Sequence, residues 1–114
     1  MLPRDLRITD RYTYNKVKRF GEAFHTPSMI VSVMKGGAKE ESTKFGLIVT
    51  NKVDGRAVVR HRAKRLITTY LQENLAKFGK GNLVVIVGKS QVAGKKYEEI
   101  VSEFDQVLPK IHLS

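Results

Sequence analysis

KFGLIVTNKVDGRAVVRHRAKRLITTYLQENLAKFGKGNLVVIVG, residues 44–88, carries the strongest structural signals in the sequence. It opens on a β-rich run, residues 44–50, and closes on a continuously apolar one, residues 83–87, bounded by Gly81 and Gly88. A short apolar run between glycines marks a central strand, buried on both faces. The segment between the two runs is helical in period. Asp54 stands where an N-cap belongs, so the helix is expected to start near Arg56, to run to about Lys77 and to stop at Gly79 and Gly81. Strand, helix and strand in this order make a βαβ-type unit.

Upstream, residues 29–34 (MIVSVM) read as another strand, followed by a Gly-rich turn over 35–42. Two β-runs across such a turn predict antiparallel neighbours. Before them stand a short helix after Thr9, ended at Gly21, and a strand over 22–25 interrupted by Pro27. Downstream, residues 88–94 read as a loop. Ile100, Val101, Phe104, Val107 and Leu108 then form a helical apolar face over 97–108, with Pro109 as its stop. The expected fold is α/β (α+β): a two-layer sandwich whose four-stranded, mostly antiparallel sheet carries the helices, in the order αβββαβα. At 114 residues the chain is expected to form one domain over 1–114.

Composition narrows the partner. The net charge is +10, from 21 basic and 11 acidic residues, and favours a polyanion. Half of that excess sits in residues 51–70, which hold six cations and one anion. On a helical wheel Val59, Ala63, Leu66 and Tyr70 form a stripe able to pack on a sheet, while Arg60, His61, Arg62, Lys64 and Arg65 cover most of the opposite arc. Like charges four apart, such as Arg56–Arg60 and Arg60–Lys64, repel, and cations near a helix N-terminus oppose its dipole. No acidic residue stands between Gly55 and Gln72 to offset this, whereas an anionic partner removes the cost. Four of the five cations in 56–65 are arginines, whose planar fork holds a phosphate or stacks on a base.

Several chemistries are excluded. Without cysteine there are no disulfides, Fe–S clusters or thiol nucleophiles. His25, His61 and His112 are dispersed, and no acidic constellation suggests a two-metal nuclease. No GxxG loop or zinc-finger spacing is present. The apolar runs are too short to span a bilayer, and the N-terminus lacks an apolar signal core, so a cytoplasmic protein without a membrane partner is expected.

The stretch NKVDGRAVVRHRAKRLI, residues 51–67, resembles the signature of the protein subunit of bacterial ribonuclease P. That signature is a lysine, then Gly-Asn-Ala-Val, one residue, Arg-Asn-Arg, one residue and Lys-Arg. Lys52, Gly55, Ala57, Val58, Arg60, Arg62, Lys64 and Arg65 stand at matching positions. LRITDRYTYNKVKRFGEAF is similar to the family's N-terminal helix, and FGLIVTNKV to the strand leading into the signature. The chain departs in carrying Arg56 and His61 in place of the two Asn, Tyr14 in place of Phe, and Thr68 and Thr69 where Arg and an acidic residue are common.

The resemblance implies a protein that assists a catalytic RNA in removing the 5′ leader of precursor tRNA and supplies no catalytic side chain. It implies Mg2+ held mainly by RNA and substrate, the catalytic RNA and precursor tRNA as partners, and no obligate protein partner. It also implies a left-handed βαβ crossover, against the general right-handed rule. Carried over to this chain, Lys52, Arg56, Arg60, His61, Arg62, Lys64 and Arg65 face the catalytic RNA. Tyr14, Val17, Lys18, Phe20, Val31, Val33 and Ile48 are the candidates for a cleft holding the leader. From the residues alone Tyr14 and Phe20 fit a core as well as a stacking site. Charge and size alone equally suit a ribosomal or other structural RNA-binding protein without a processing role.

Overall fold

The computed structural model describes residues 2–36 and 42–113. A single 3-10 turn, Arg4–Leu6, leads into α1 (Arg11–Phe20), then β1 (Glu22–His25), β2 (Met29–Met34), β3 (Lys44–Ile48), α2 (Ala57–Glu73), β4 (Leu83–Gly88) and α3 (Tyr97–Leu113). Further 3-10 turns, Leu75–Phe78 and Ser90–Gly94, flank β4. The strands form one sheet in the order β1-β2-β4-β3. β1–β2 and β2–β4 are antiparallel, and β3–β4 is parallel.

The expected β2–β3 hairpin does not form, because β4 lies between the two strands. Most of the turn expected over 35–42 lies outside the described residues. Burial explains the strand order. Leu83, Val84, Val85 and Ile86 are almost wholly inaccessible, so β4 needs a strand on each side and a layer on each face. A hairpin would have left this strand on an edge.

Side-chain alternation divides the sheet into two faces. Met29, Val31, Val33, Phe45, Val84 and Ile86 point to the main core under α2 and α3. There Tyr70 stacks on Phe104 with ring centroids 4.3 Å apart, and Phe78 meets Phe45 edge-on at 5.2 Å. Leu83, Val85, Val87, Met34 and Ile48 point the other way, to a smaller cluster with Ile8, Val17 and Tyr14.

Three helix boundaries differ from the sequence reading. Asp54 is not the N-cap of α2: its Oδ1 accepts from the Arg56 N–H at 2.9 Å in a tight turn, and Arg56 itself occupies the cap position. α2 ends at Glu73, short of Lys77, because the Asn74 side chain donates to the Tyr70 carbonyl at 2.8 Å and competes with the next helical bond. α3 continues through Pro109. Proline there removes the bond to the Asp105 carbonyl, four residues back. Asp105 and Pro109 both face solvent, while Ile111 beyond them is anchored in the core. The buried stripe of α2 is also shifted: Ala63, Ile67, Tyr70 and Leu71 are buried, with Leu66 and Val59 only partly so.

Candidate nucleic-acid interface

The cationic arc of α2 stays outside the core, and its arginines are held in place. Arg56 donates to the Asp54 carboxylate through Nε at 3.1 Å and Nη2 at 3.0 Å. These bonds hold the Asp54 carboxyl down at about 2. Arg60 Nη1 donates to the carbonyls of Asp54 and Gly55, both at 3.0 Å, and so stiffens the turn entering the helix. Arg62 Nη1 donates to the Lys95 carbonyl at 3.0 Å, tying α2 to the start of α3. Each guanidinium has five donors, so donors remain on all three heads after these bonds.

Lys52, His61, Lys64 and Arg65 make no side-chain hydrogen bond or ion pair among the described residues. His61, Lys64 and Arg65 line a depression of about 290 Å³ with Thr68 and Thr69. The two threonines carry no charge, so this part of α2 holds cations and no anion. Lys64 and Thr68 also border a second hollow, of about 330 Å³, whose wall includes Arg7, Ile8, Thr9, Tyr14 and Leu47. The basic face of α2 therefore adjoins the N-terminal helix.

α1 forms because Asp10 caps it, accepting from the Thr13 N–H at 2.9 Å and from Thr13 Oγ1 at 2.7 Å. The helix crosses the sheet. Tyr14 lies over Gly46 of β3, the helix packs on β4, β2 and β1, and Gly21 at its end rests against the Val33 carbonyl. Arg11, Tyr14, Asn15 and Lys18 line a groove of about 360 Å³ with Ile48. Ile48, Val87 and Ile30 are register partners across three strands, and all three are half-buried. They make an apolar sheet row beside the helix.

Tyr14, Lys18 and Ile48 thus meet in one groove. Arg11 and Asn15 join them but escaped the sequence reading, which carried over only Tyr14, Val17, Lys18 and Phe20 from α1. The other cleft candidates are corrected. Val31 and Val33 are 0% and 5% exposed and point to the opposite face of the sheet, into the main core. The β2 residues on the groove's face are their neighbours Ile30 and Ser32, one position out of phase. Val17 is 0% exposed and pins α1 to the sheet from beneath. Phe20, 68% exposed, lies on the far flank of α1 from Tyr14 and Lys18, six residues beyond Tyr14 at about 100° per residue.

Gly46 sets the shape of this groove. A Cβ there would collide with Tyr14 Cε1, and the Tyr14 hydroxyl accepts the Leu47 N–H at 3.2 Å. Gly46→Ala is expected to expel the ring and to cost about 1–3 kcal/mol. Urea denaturation measures the loss, and the ring signals of Tyr14 in an NMR spectrum report its displacement. An unchanged stability and spectrum would contradict the packing described.

The family model described as Ribonuclease P matches residues 2–112. The chain belongs to the bacterial ribonuclease P protein family. The ribonuclease P protein component of Clostridium acetobutylicum is 30% identical to it, over 94% of this chain and 89% of that one. The corresponding protein of Syntrophus aciditrophicus is 28% identical, over 96% and 89%. Its fold is that of the ribonuclease P proteins of Staphylococcus aureus (TM-score 0.81, 16% identity, 91% of this chain and 93% of that one) and Thermotoga maritima (0.79, 16%, 92% and 96%). As a ribonuclease P protein it is the non-catalytic subunit of a ribonucleoprotein whose RNA removes the 5′ leader from precursor tRNA. No group of three or more His, Asp or Glu able to hold a metal occurs among the described residues. No described helix is long and apolar enough to cross a membrane.

Proposed function

We propose that α2 docks on the catalytic RNA through Lys52, Arg56, Arg60, His61, Arg62, Lys64 and Arg65, and that the groove beside α1 receives the single-stranded 5′ leader. The observation that carries this reading is the position of Lys64, which borders both the cationic depression on α2 and the hollow reaching Tyr14. A strand leaving the RNA face meets the groove directly. Arg60 and Arg62 present pre-set guanidinium groups to phosphates, while Lys64 and Arg65 bring charges with no internal partner. Within the groove, Tyr14 offers an edge and a ring, Ile48 an apolar floor, and Arg11 and Lys18 backbone neutralisation. Mg2+ is held by the RNA and substrate, and the protein's charge lowers the amount needed to neutralise the RNA backbone. The assembly works in the cytoplasm on precursor tRNA, with no second protein required.

Photo-crosslinking tests the groove. Precursor tRNA carrying 4-thiouridine in the leader, bound to the holoenzyme, is expected to label the α1 peptide containing Tyr14 and Lys18. Adducts confined to α2 or α3 would contradict the assignment.

A further inference from the structure

Three large apolar side chains stand exposed among the described residues, and two of them share one face of α1: Tyr12 at 75% and Phe20 at 68%. They lie two turns apart, with Lys16 between them. The Arg19 guanidinium lies over the Phe20 ring, 5.4 Å from its centroid. At about 100° per residue this group occupies the outer surface and the flank of α1 turned away from the groove of Tyr14, Lys18 and Ile48. α1 holds Arg11, Lys16, Lys18 and Arg19 and no acidic residue. An outward face of alternating aromatics and cations, with no packing duty, has the chemistry of a single-strand stacking platform: the rings take bases and the cations take phosphates.

We infer that Tyr12, Lys16, Arg19 and Phe20 form a further RNA-binding surface that stacks unpaired nucleotides of the leader lying beyond those in the groove. This rests on the groove reading and extends it. The occupant follows from position. The cationic face of α2 adjoins the Tyr14 part of α1, on the β3 side, whereas Phe20 ends the helix beside Gly21 and Val33, on the β1–β2 side. A strand running along α1 away from the catalytic RNA reaches Phe20 last, so it presents its most distal nucleotides there. α1 is about 15 Å long, which spans about 4 nucleotides at stacked spacing. Shorter leaders stay within the groove and end before Phe20, where the strand turns onto the outer face.

The test compares precursor tRNAs with leaders of about 4 and about 10 nucleotides, bound by holoenzyme carrying wild-type protein, Tyr12→Ala/Phe20→Ala, Phe20→Trp or Tyr14→Ala. For the long leader the double variant is expected to weaken binding about tenfold, and Phe20→Trp to retain it, because the ring is kept. The short leader is expected to bind the double variant and the wild type alike. Equal loss for both leaders, or weaker binding of the double variant to the catalytic RNA alone, would overturn the proposal, since the surface would then serve the RNA or the fold. No loss with the long leader would overturn it too. The Tyr14→Ala arm separates the two readings: weaker binding of both leaders upholds the groove even where the platform fails, and no effect on either leader removes the groove and the platform together.

Discussion

Glu103→Ala is expected to lower the folding free energy by about 2–5 kcal/mol, the largest stability loss of any single side chain outside the apolar core. Glu103 is 6% exposed, and its carboxylate accepts from the Ser28 N–H and the Ser28 hydroxyl, both at 2.8 Å. Ser28 is itself fully buried, so truncation strands two donors away from water. An unsatisfied buried donor costs about 1–3 kcal/mol. The bond spans α3 and the turn between β1 and β2. The same turn is held from β4's end by Lys89, whose Nζ donates to the Thr26 carbonyl at 2.8 Å and whose N–H donates to the Ser28 carbonyl at 2.7 Å. Denaturant titration measures the change directly. A loss below about 1 kcal/mol would mean that the turn relaxes to expose Ser28. RNA affinity per folded molecule is expected to stay the same, because Glu103 lies away from the three proposed RNA surfaces.

Lys64→Ala/Arg65→Ala is expected to weaken binding to the catalytic RNA by about 30- to 100-fold at moderate salt, with little change in stability. Neither side chain has an internal partner among the described residues, so neither leaves a buried group behind. Each removes about one phosphate contact, so the slope of log affinity against log salt should flatten by roughly 2. Arg56→Ala is expected to do less, since that guanidinium is already engaged by Asp54. Filter binding across a salt series gives both quantities. An unchanged slope with the double variant would place the RNA elsewhere on the molecule.

The parts of this structure that could be read in the sequence are those set by local pattern. α2 and its charge were legible because periodicity and composition are both properties of a contiguous segment. β4 was legible as a central strand for the same reason. The strand order was not, because pairing joins residues far apart in the chain: the turn after β2 suggested β3 as its neighbour, and only the burial of β4 on both faces explains its place. The phase of β2 was hidden as well. In MIVSVM nearly every position is apolar, so alternation does not say whether Val31 or Ile30 looks toward α1, and the one-residue slip sent Val31 and Val33 to the wrong layer. Phe20 entered the cleft set through the family resemblance, yet the helical turn puts its ring on the far flank of α1 and Lys18 in the groove. Asp10 was passed over although Asp three residues before Thr13 is a capping signal.

The cationic face of α2 is proposed as the surface through which this protein assists the RNA. The most direct measurement is precursor-tRNA cleavage at about 2–5 mM Mg2+, where neutralisation of the RNA backbone is limiting. Catalytic RNA alone is compared with RNA plus wild-type protein and RNA plus the Lys64→Ala/Arg65→Ala protein. Strong stimulation by the wild type is expected, and its loss with the folded variant at the same protein concentration. Equal stimulation by both proteins would contradict it.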